Sequence, residues 1–417
     1  MGKVAFVFFF LVIGGNVAAQ PTHAQASAKQ SPVEKGRYLA AAGDCVACHT
    51  ATNGRPFIGG RPFHTPFGIL YSTNITPDKK TGIGNYTLED FTAAMRRGKG
   101  AHGNLYPAMP YTSYYLIPDE DIASLYAYFM QLPPVEYVAP DNDLFFPANL
   151  RFGLSVWNRI FFDKAPLSQP ADKSPDWQRG NYLVNALGHC GECHTPRNFA
   201  FAMKNDEKFS GNILEGWDAV DIRPAALRRQ GWDRERLRLL FTTGASEHGT
   251  AFGEMFSVVK YSLRHLSDND INAIITYLLD DSEKMAGNAG NPQAAEKRYT
   301  QGRADFVAYC AACHGREGRG VTLSFAPPMD RNAAVRGDNP YNTIAVILRG
   351  LAAQRMDRTN ARAGMPGFHR ELDDVRVADL VNYMRTAWGG AENPVTVEDV
   401  AEIRRQLREH GYLGAVE

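Results

Sequence analysis

The sequence lacks net charge and a membrane-length apolar run, and it has only six cysteines. Its 45 Lys and Arg residues are balanced by 45 Asp and Glu, which argues against a nucleic-acid partner, because phosphates require a basic surface. The one long apolar run covers residues 5–13 and is too short to span a bilayer as a helix. At 417 residues with 44% hydrophobic content, the chain is long enough for several globular domains.

The common catalytic motifs are also missing. Gly82-Ile83-Gly84 does not continue into the G-x-G-x-x-G of a dinucleotide site, and the chain has no P-loop, nucleophile elbow or H-E-x-x-H zinc motif. We therefore expect that the polypeptide is not an enzyme on its own and that a cofactor carries the chemistry.

The N-terminus predicts an export signal. Lys3 precedes the apolar run at residues 5–13, and the small residues Val17-Ala18-Ala19 precede Gln20. This pattern indicates a signal peptide over residues 1–19 and a mature chain outside the cytoplasm. An uncleaved anchor is the alternative, which the short apolar run disfavours.

All six cysteines belong to one repeated motif, C-x-x-C-H, which is the attachment signature of c-type haem. On a helical turn, positions i, i+3 and i+4 share one face, so both thiols can form thioethers while the imidazole reaches the iron. The sequence thus predicts three covalently bound haem c groups. Their binding residues are Cys45, Cys48 and His49, then Cys190, Cys193 and His194, then Cys310, Cys313 and His314.

Other uses of these cysteines fit less well. Thioredoxin-like dithiols need strand–helix–strand surroundings, which the sequence does not show. A structural zinc site needs four ligands close together, whereas these pairs are more than a hundred residues apart. Disulfides are compatible with an exported chain but leave the three histidines unexplained.

The chain contains three similar stretches, which we call the repeats. A short helical segment precedes each motif, at residues 36–39, 180–183 and 302–306, and an amphipathic helix follows it with apolar residues at i, i+3, i+4 and i+7. These positions are Ile122, Leu125, Tyr126 and Phe129, then Ile271, Ile274, Ile275 and Leu278, then Val377, Leu380, Val381 and Met384. The pattern predicts an all-α fold of three tandem domains over residues 31–135, 176–281 and 297–390.

The remaining residues connect or follow these domains. Residues 136–175 are too aromatic for a solvated linker, so we expect them to pack over the neighbouring domains or to form a docking patch. Residues 281–296 predict a flexible joint. In the C-terminal tail, residues 391–417, Val397, Val400, Ile403 and Leu407 share a helical face, which suits a bilayer surface, a partner or an ordinary surface helix.

Each iron needs a sixth ligand, and a methionine thioether opposite the histidine raises the haem potential. Met109, Met255 and Met365 follow the three motif histidines by 60, 61 and 51 residues. The alternative is that they only fill the core. Their competitors are Met203, Met329 and Met356, and His248 is a possible substitute in the second repeat. Each motif histidine should also donate its other ring N–H to a backbone carbonyl; in the third repeat Pro327 or Pro328 is placed to accept it.

Longer stretches resemble a known family. They are residues 65–78 (TPFGILYSTNITPD), 81–84 (TGIG), 105–112 (LYPAMPYT) and 188–197 (GHCGECHTPR), together with the tail from Met365-Pro366-Gly367-Phe368 to Pro394-Val395-Thr396. These resemble the tri-haem cytochrome c subunits of periplasmic membrane-associated dehydrogenases, over almost the whole mature chain. The resemblance implies class I cytochrome c domains with Met109, Met255 and Met365 as axial ligands. Residues 218–223 depart from the family pattern near the second haem.

The resemblance also implies an electron-transfer role. Such subunits accompany quinoprotein alcohol dehydrogenases with PQQ, flavoprotein gluconate, sorbitol or fructose dehydrogenases with FAD, and molybdenum enzymes. We expect the chain to accept electrons from such a catalytic subunit and relay them to ubiquinone or a terminal oxidase. It would lie in the periplasm, peripherally associated with the outer face of the cytoplasmic membrane. The alternatives are a self-contained multihaem oxidoreductase and a stand-alone soluble periplasmic shuttle.

Overall fold

A computed structural model describes residues 2, 30–51, 54–280, 290–321, 326–357, 361–390 and 393–413. The predicted export signal, residues 1–19, lies outside the described residues apart from Gly2. Residues 1–31 and 32–417 are separate units, and the elements below all belong to the second. Within the described part of the chain, no helix has both the length and the apolar character needed to cross a membrane.

Nineteen α-helices and eleven short strands are found in the described residues. The first repeat holds α1 (Pro32–Ala42), α2 (Cys45–Cys48), β1 (Pro62–Thr65), β2 (Gly68–Tyr71), α3 (Leu88–Arg97), β3 (Lys99–Gly100), β4 (Gly103–Asn104), α4 (Tyr111–Tyr114) and α5 (Asp119–Gln131). Between the first two repeats lie β5 (Asp143–Leu144), α6 (Gly153–Phe161) and the start of α7 (Pro175–Tyr182). The second repeat continues with α8 (Gly191–His194), β6 (Asn212–Leu214), β7 (Trp217–Ala219), α9 (Pro224–Arg229), α10 (Arg234–Thr243), β8 (Ala245–Ser246), β9 (Gly249–Thr250), α11 (Glu254–Tyr261) and α12 (Asp268–Leu279).

The third repeat has the same plan. It holds α13 (Pro292–Arg298), α14 (Thr300–Asp305), α15 (Ala311–His314), α16 (Ala333–Arg336), α17 (Tyr341–Arg349), β10 (Gln354–Arg355), β11 (Ala361–Arg362) and α18 (Asp374–Met384), and α19 (Val397–Glu409) follows it. Residues 281–289 lie outside the described residues. Because α13 begins at Pro292, the predicted flexible joint over 281–296 is wrong for its last residues.

The strands show that the fold is mainly helical rather than all-α. They form five small antiparallel sheets in the described residues, and β1, β2 and β5 make the one with three strands. The hairpins β3–β4 and β8–β9 have only two residues per strand, too few for the alternating pattern by which strands are recognised in sequence.

Each repeat contains one close crossing between its first long helix and its last: α1 on α5, α7 on α12 and α14 on α18. A glycine allows each approach. A Cβ on Gly36 would lie 1.9 Å from the Ser124 carbonyl oxygen, and one on Gly180 would lie 2.0 Å from that of Ala273. A Cβ on Gly302 would lie 2.3 Å from the Asp379 carbonyl oxygen. The predicted amphipathic helices are confirmed as α5, α12 and α18.

The buried side chains form two cores. One extends through the first two repeats, from Leu39 to Leu279. The other joins the third repeat to α19, from Ala295 to Leu407. Burial of apolar surface therefore makes residues 32–280 one cooperative body, with the third repeat beside it.

The C-terminal helix α19 uses its apolar face internally. Val400 and Leu407 are fully buried, and Ile403 is nearly so, against α17 and α18. Its N-terminus carries a capping box formed by Thr396 and Asp399, which fixes the first turn. The idea that this face lies on a bilayer or a partner is therefore wrong, and α19 is a structural helix of the third repeat.

Candidate haem sites

The three motif histidines share one geometry. Nδ1 of His49 lies 2.7 Å from the carbonyl oxygen of Thr73, and Nδ1 of His194 lies 2.7 Å from that of Val220. Nδ1 of His314 lies 2.9 Å from the carbonyl oxygen of Pro327, which confirms that prediction. A carbonyl can only accept, so Nδ1 must carry the proton. Nε2 is then left with a lone pair for a metal.

Burial keeps these imidazoles neutral. Removing each ring from water disfavours its charged form and lowers the pKa of His49, His194 and His314 below the usual value for histidine. A neutral ring with a fixed tautomer is the form that ligates iron. The surroundings of all three histidines therefore suit an axial ligand.

The thiols lie beside the histidines in equally apolar surroundings. Burial raises the pKa of Cys45, Cys48, Cys193 and Cys310 to about 12 and that of Cys190 to about 11. None of the six cysteines forms a disulfide; Cys313 is the exposed one. Pairs three residues apart, next to a neutral imidazole and against apolar cores, fit the thioether attachment of a porphyrin.

A widened helical turn leads into two of the motifs. The π-helical turns Leu183–Leu187 and Phe306–Cys310 continue α7 and α14 up to the second and third pairs of cysteines. In the first repeat, Asp44 takes the left-handed conformation between α1 and α2 instead. Such turns are common at functional sites. They could not be predicted from the sequence, because they depend on one extra backbone residue per turn.

The predicted axial methionines lie in three different settings. Met109 is in the loop before α4, Met255 is the second residue of α11, and both pack against the core of the first two repeats. Met365 pairs its backbone with Leu351, with N–O distances of 2.8 and 2.9 Å. All three are partly exposed. The competitor Met356 is buried in the first core, so its side chain is a packing residue.

His248, the possible ligand substitute of the second repeat, is a buried residue. Its ring packs beside Trp232, with centroids 5.8 Å apart, and its Nε2 would lie 2.7 Å from a Cβ on Gly231. Burial, together with the positive charges of Arg236 and Arg336, lowers its pKa to about 4. Its carbonyl oxygen accepts a hydrogen bond from Ala333 of the third repeat, so His248 lies where the second and third repeats meet.

Comparisons with known proteins show the family of the chain. A family model of cytochrome c matches residues 299–388, the third repeat. The cytochrome c subunit of gluconate 2-dehydrogenase from Pantoea cypripedii is 40% identical over 399 residues, covering 91% of this chain and 90% of that protein. The cytochrome c subunit of the quinone-dependent alcohol dehydrogenase of Gluconobacter oxydans is 37% identical, covering 92% and 84%. The chain belongs to the cytochrome c subunits of dehydrogenases.

A third relative extends the family to another donor enzyme. The fructose dehydrogenase cytochrome subunit of Gluconobacter japonicus is 37% identical, covering 97% of this chain and 89% of that protein. The chain is therefore an electron-transfer subunit rather than a catalytic one, which agrees with the missing catalytic motifs.

In this cytochrome subunit, the first attachment motif is bonded to the second repeat. Arg61 donates to the carbonyl oxygen of Ala47, inside the first motif, at 2.8 Å. The same guanidinium pairs with the carboxylate of Glu254, the residue before Met255. One side chain thus connects the first haem motif to the proposed ligand of the second.

The second motif is bonded to the first repeat in return. Glu192 lies between Cys190 and Cys193, and its carboxylate accepts hydrogen bonds from Thr112 at 2.7 Å and Ser113 at 2.8 Å. It also pairs with Arg197 at 2.8 Å. Thr112 and Ser113 closely follow Met109, so each motif contacts the other's ligand loop.

Backbone contacts fix the two motifs further. The Tyr114 hydroxyl donates to the carbonyl oxygen of Gly43 at 3.1 Å, and Ser262 donates to that of Ala42 at 3.2 Å. The Tyr114 ring also meets the ring of His189 at 5.4 Å between centroids. The first two sites are therefore held in a fixed relation, as electron exchange between them would require. The sequence did not point to these contacts, because nothing in one sequence pairs residues so far apart.

Proposed function

We propose that the chain carries three covalently bound haem c groups. His49 and Met109, His194 and Met255, and His314 and Met365 would hold the three irons. The observation that carries this proposal is the shared geometry of the histidines, each fixed through Nδ1 by a backbone carbonyl with Nε2 left for a metal. Bound haem supplies one-electron exchange, and the polypeptide positions and desolvates it.

The same repetition supports three tandem class I cytochrome c domains at residues 31–135, 176–281 and 297–390. In each, a helix before the motif crosses a helix at the end of the repeat through a glycine. A domain of this size buries little surface alone, so the porphyrin would complete each core.

The subunit would accept electrons from a catalytic dehydrogenase of the PQQ, FAD or molybdenum type. The donor's substrate would be an alcohol, gluconate or another polyol or sugar acid, as the names of the relatives indicate. The electrons would pass on to ubiquinone or a terminal oxidase. The predicted signal peptide supports a periplasmic location at the outer face of the cytoplasmic membrane.

The haem count is tested by the mass of the purified mature chain under denaturing conditions, where only covalent haem remains attached. We expect three haem increments. Replacing Cys310 and Cys313 with serine should remove one increment and leave two. A wild-type mass with fewer than three increments would overturn the proposal.

Carbon monoxide separates this function from a self-contained haem enzyme. If all three irons have two protein ligands, the reduced protein should bind carbon monoxide poorly. Ready binding at one iron would show an open coordination position and favour the enzyme. Purification as a complex with a dehydrogenase would exclude the stand-alone shuttle.

A further inference from the structure

A cluster of large apolar side chains is exposed around α6. Phe152, Val156 and Ile160 are 73, 58 and 65% exposed, and Phe146 and Phe199 are 74 and 92% exposed. With Phe145, these residues form what we call the phenylalanine patch. Isolated exposed apolar residues are ordinary on a protein surface, but a group this large marks an interaction site.

The helix α6 presents one face of this patch. None of its residues is buried, and Phe152, Val156 and Ile160 are spaced by four residues, so they form one stripe. The opposite face is held by hydrogen bonds: Trp157 Nε1 donates to the carbonyl oxygen of Ala200 at 2.8 Å. On that face Asn158 accepts from the Tyr111 hydroxyl, also at 2.8 Å. These hydrogen bonds therefore orient α6 so that its apolar stripe faces the solvent.

Two other segments extend the patch. The ring of Phe199 lies 6.3 Å from that of Phe161 on α6. On the other side, the Phe67 ring contacts Phe145 at 6.0 Å and Phe201 at 6.1 Å. These contacts connect the 199–201 loop to the inner side of α6 and, through Phe67, to Phe145.

The charges around the patch favour an anionic partner. Residues 147–162, which include α6, hold Arg151 and Arg159 and no acid, and the acids Asp141, Asp143 and Asp163 lie outside this segment. The whole chain has no net charge, so this segment has a local positive surplus. A short amphipathic helix with Phe and Ile on one face and cations at its sides is typical of a segment lying in the headgroup region of an anionic bilayer.

We propose that the phenylalanine patch docks the subunit onto the surface of an anionic phospholipid bilayer. The proposal rests on the proposed function for the subunit's place beside a membrane, and it names the surface that makes the contact. Trp157 and Phe161 on the inner side of α6 also line a cavity of about 300 Å³ that reaches Gly191 of the second motif. Docking through α6 would therefore place the second haem motif near the bilayer.

Vesicle sedimentation tests this with the full mature haem-loaded chain, without its partner. We expect binding to vesicles of phosphatidylglycerol and phosphatidylcholine, weaker binding to pure phosphatidylcholine, and further loss at high salt. The triple variant Phe152→Ser, Val156→Ser, Ile160→Ser should bind the anionic vesicles at least tenfold more weakly. These side chains are exposed, so the fold should persist.

A matched control removes exposed apolar residues elsewhere. Val138 and Val375 are 78 and 62% exposed, and the variant Val138→Ser, Val375→Ser should bind vesicles like the wild type. In both variants the haem content and visible spectrum should be unchanged. A normal haem count with no vesicle binding would overturn the docking proposal while leaving the electron-transfer function intact.

The alternative to a lipid surface is a protein partner that covers the phenylalanine patch. If the triple variant loses its dehydrogenase on purification of the complex but still binds vesicles normally, the patch is a protein interface and the lipid proposal is wrong. Equal vesicle binding by the triple variant and the wild type would overturn it as well.

Discussion

At the residue scale, buried carboxylates connect the first two repeats, and Glu192 is one of them. Glu192 holds Thr112, Ser113 and Arg197, and its side chain is only 9% exposed. Removing one partner of a buried ion pair leaves the other charge uncompensated. Glu192→Ala should therefore destabilise the protein by about 3–5 kcal/mol, measured by denaturant unfolding of haem-loaded samples.

The matched control for this variant is a surface pair. Glu207 and Lys204 are both more than 40% exposed, and Glu207→Ala should change the free energy of unfolding by at most about 1 kcal/mol. Adding Arg197→Met to Glu192→Ala should recover part of the loss, because the unpaired charge is gone. Similar losses for the two glutamates would contradict the buried-pair account.

The proposed ligand Met365 gives a spectroscopic prediction. In Met365→Ala one iron of three should lose the sulfur-to-iron absorption band and gain carbon monoxide binding. The potential of that haem should fall by roughly 0.1–0.3 V, a fraction of the range that axial ligands span. Met356→Leu, a change of a buried packing residue, should leave the spectrum unchanged; the reverse result would make Met356 the ligand.

Sequence reasoning at this scale reached the residues with a chemical signature. The cysteines and histidines were found because C-x-x-C-H has a fixed spacing, and the carbonyl of Pro327 or Pro328 was predicted from the position of these residues after the third motif. The carbonyls of Thr73 and Val220, which accept from the other two histidines, were not predicted, because every residue has a backbone carbonyl. Partners such as Arg61 and Glu254 were missed because their pairing depends on how two repeats pack.

At the scale of elements, the helix crossings depend on glycine. A Cβ on Gly180 would lie 2.0 Å from the carbonyl oxygen of Ala273, so α7 and α12 would have to move apart. Gly180→Ala should cost about 3 kcal/mol or more, measured as a change in the free energy of unfolding.

Gly153 is the control for this substitution. It is also a helical glycine, the first residue of α6, and a Cβ there would meet nothing within 4 Å. Gly153→Ala should shift the stability by about 1 kcal/mol at most, through helix propensity alone. If the two glycines gave the same result, the tight crossing would not be what constrains Gly180.

The elements predicted from sequence are those with a strong period. The helices α5, α12 and α18 were found because their apolar residues recur every three to four positions. The face of α19 was also found, but three roles were left open for it, because an amphipathic pattern does not show whether lipid, a partner or the chain itself covers a face. The structure bears out the ordinary surface helix, packed on its own repeat. The helix α6 has a similar amphipathic pattern, but its apolar stripe is exposed instead of buried.

At the scale of the whole molecule, the third repeat is attached to the second through the buried side chain of Met356 and through a set of polar contacts. Asn342 pairs with the backbone of Asp218 in both directions, at 2.8 and 2.9 Å. The guanidinium of Arg349 lies 4.1 Å from the Trp217 ring and 4.6 Å from the Tyr412 ring. Two cores joined in this way should unfold as two coupled bodies.

Asn342→Leu tests that coupling. Leucine leaves the backbone N–H and carbonyl of Asp218 buried without their partners, at a cost of about 1–3 kcal/mol each. This loss of stability falls on the contact between the second and third repeats and not on the core of the first two repeats. In calorimetry the transition of the third repeat should therefore fall by roughly 10 °C or more, while that of residues 32–280 stays within about 2 °C.

The control substitutes an exposed asparagine on α12, Asn272→Leu, and should leave both transitions in place. One coincident transition that moves as a whole in Asn342→Leu would mean that the three repeats form a single cooperative unit. The relative position of the second and third haem sites would then depend on the stability of the entire fold. Separate transitions, with only that of the third repeat lowered, would show that the Asp218–Asn342 contact is one of the contacts that hold the third repeat against the second.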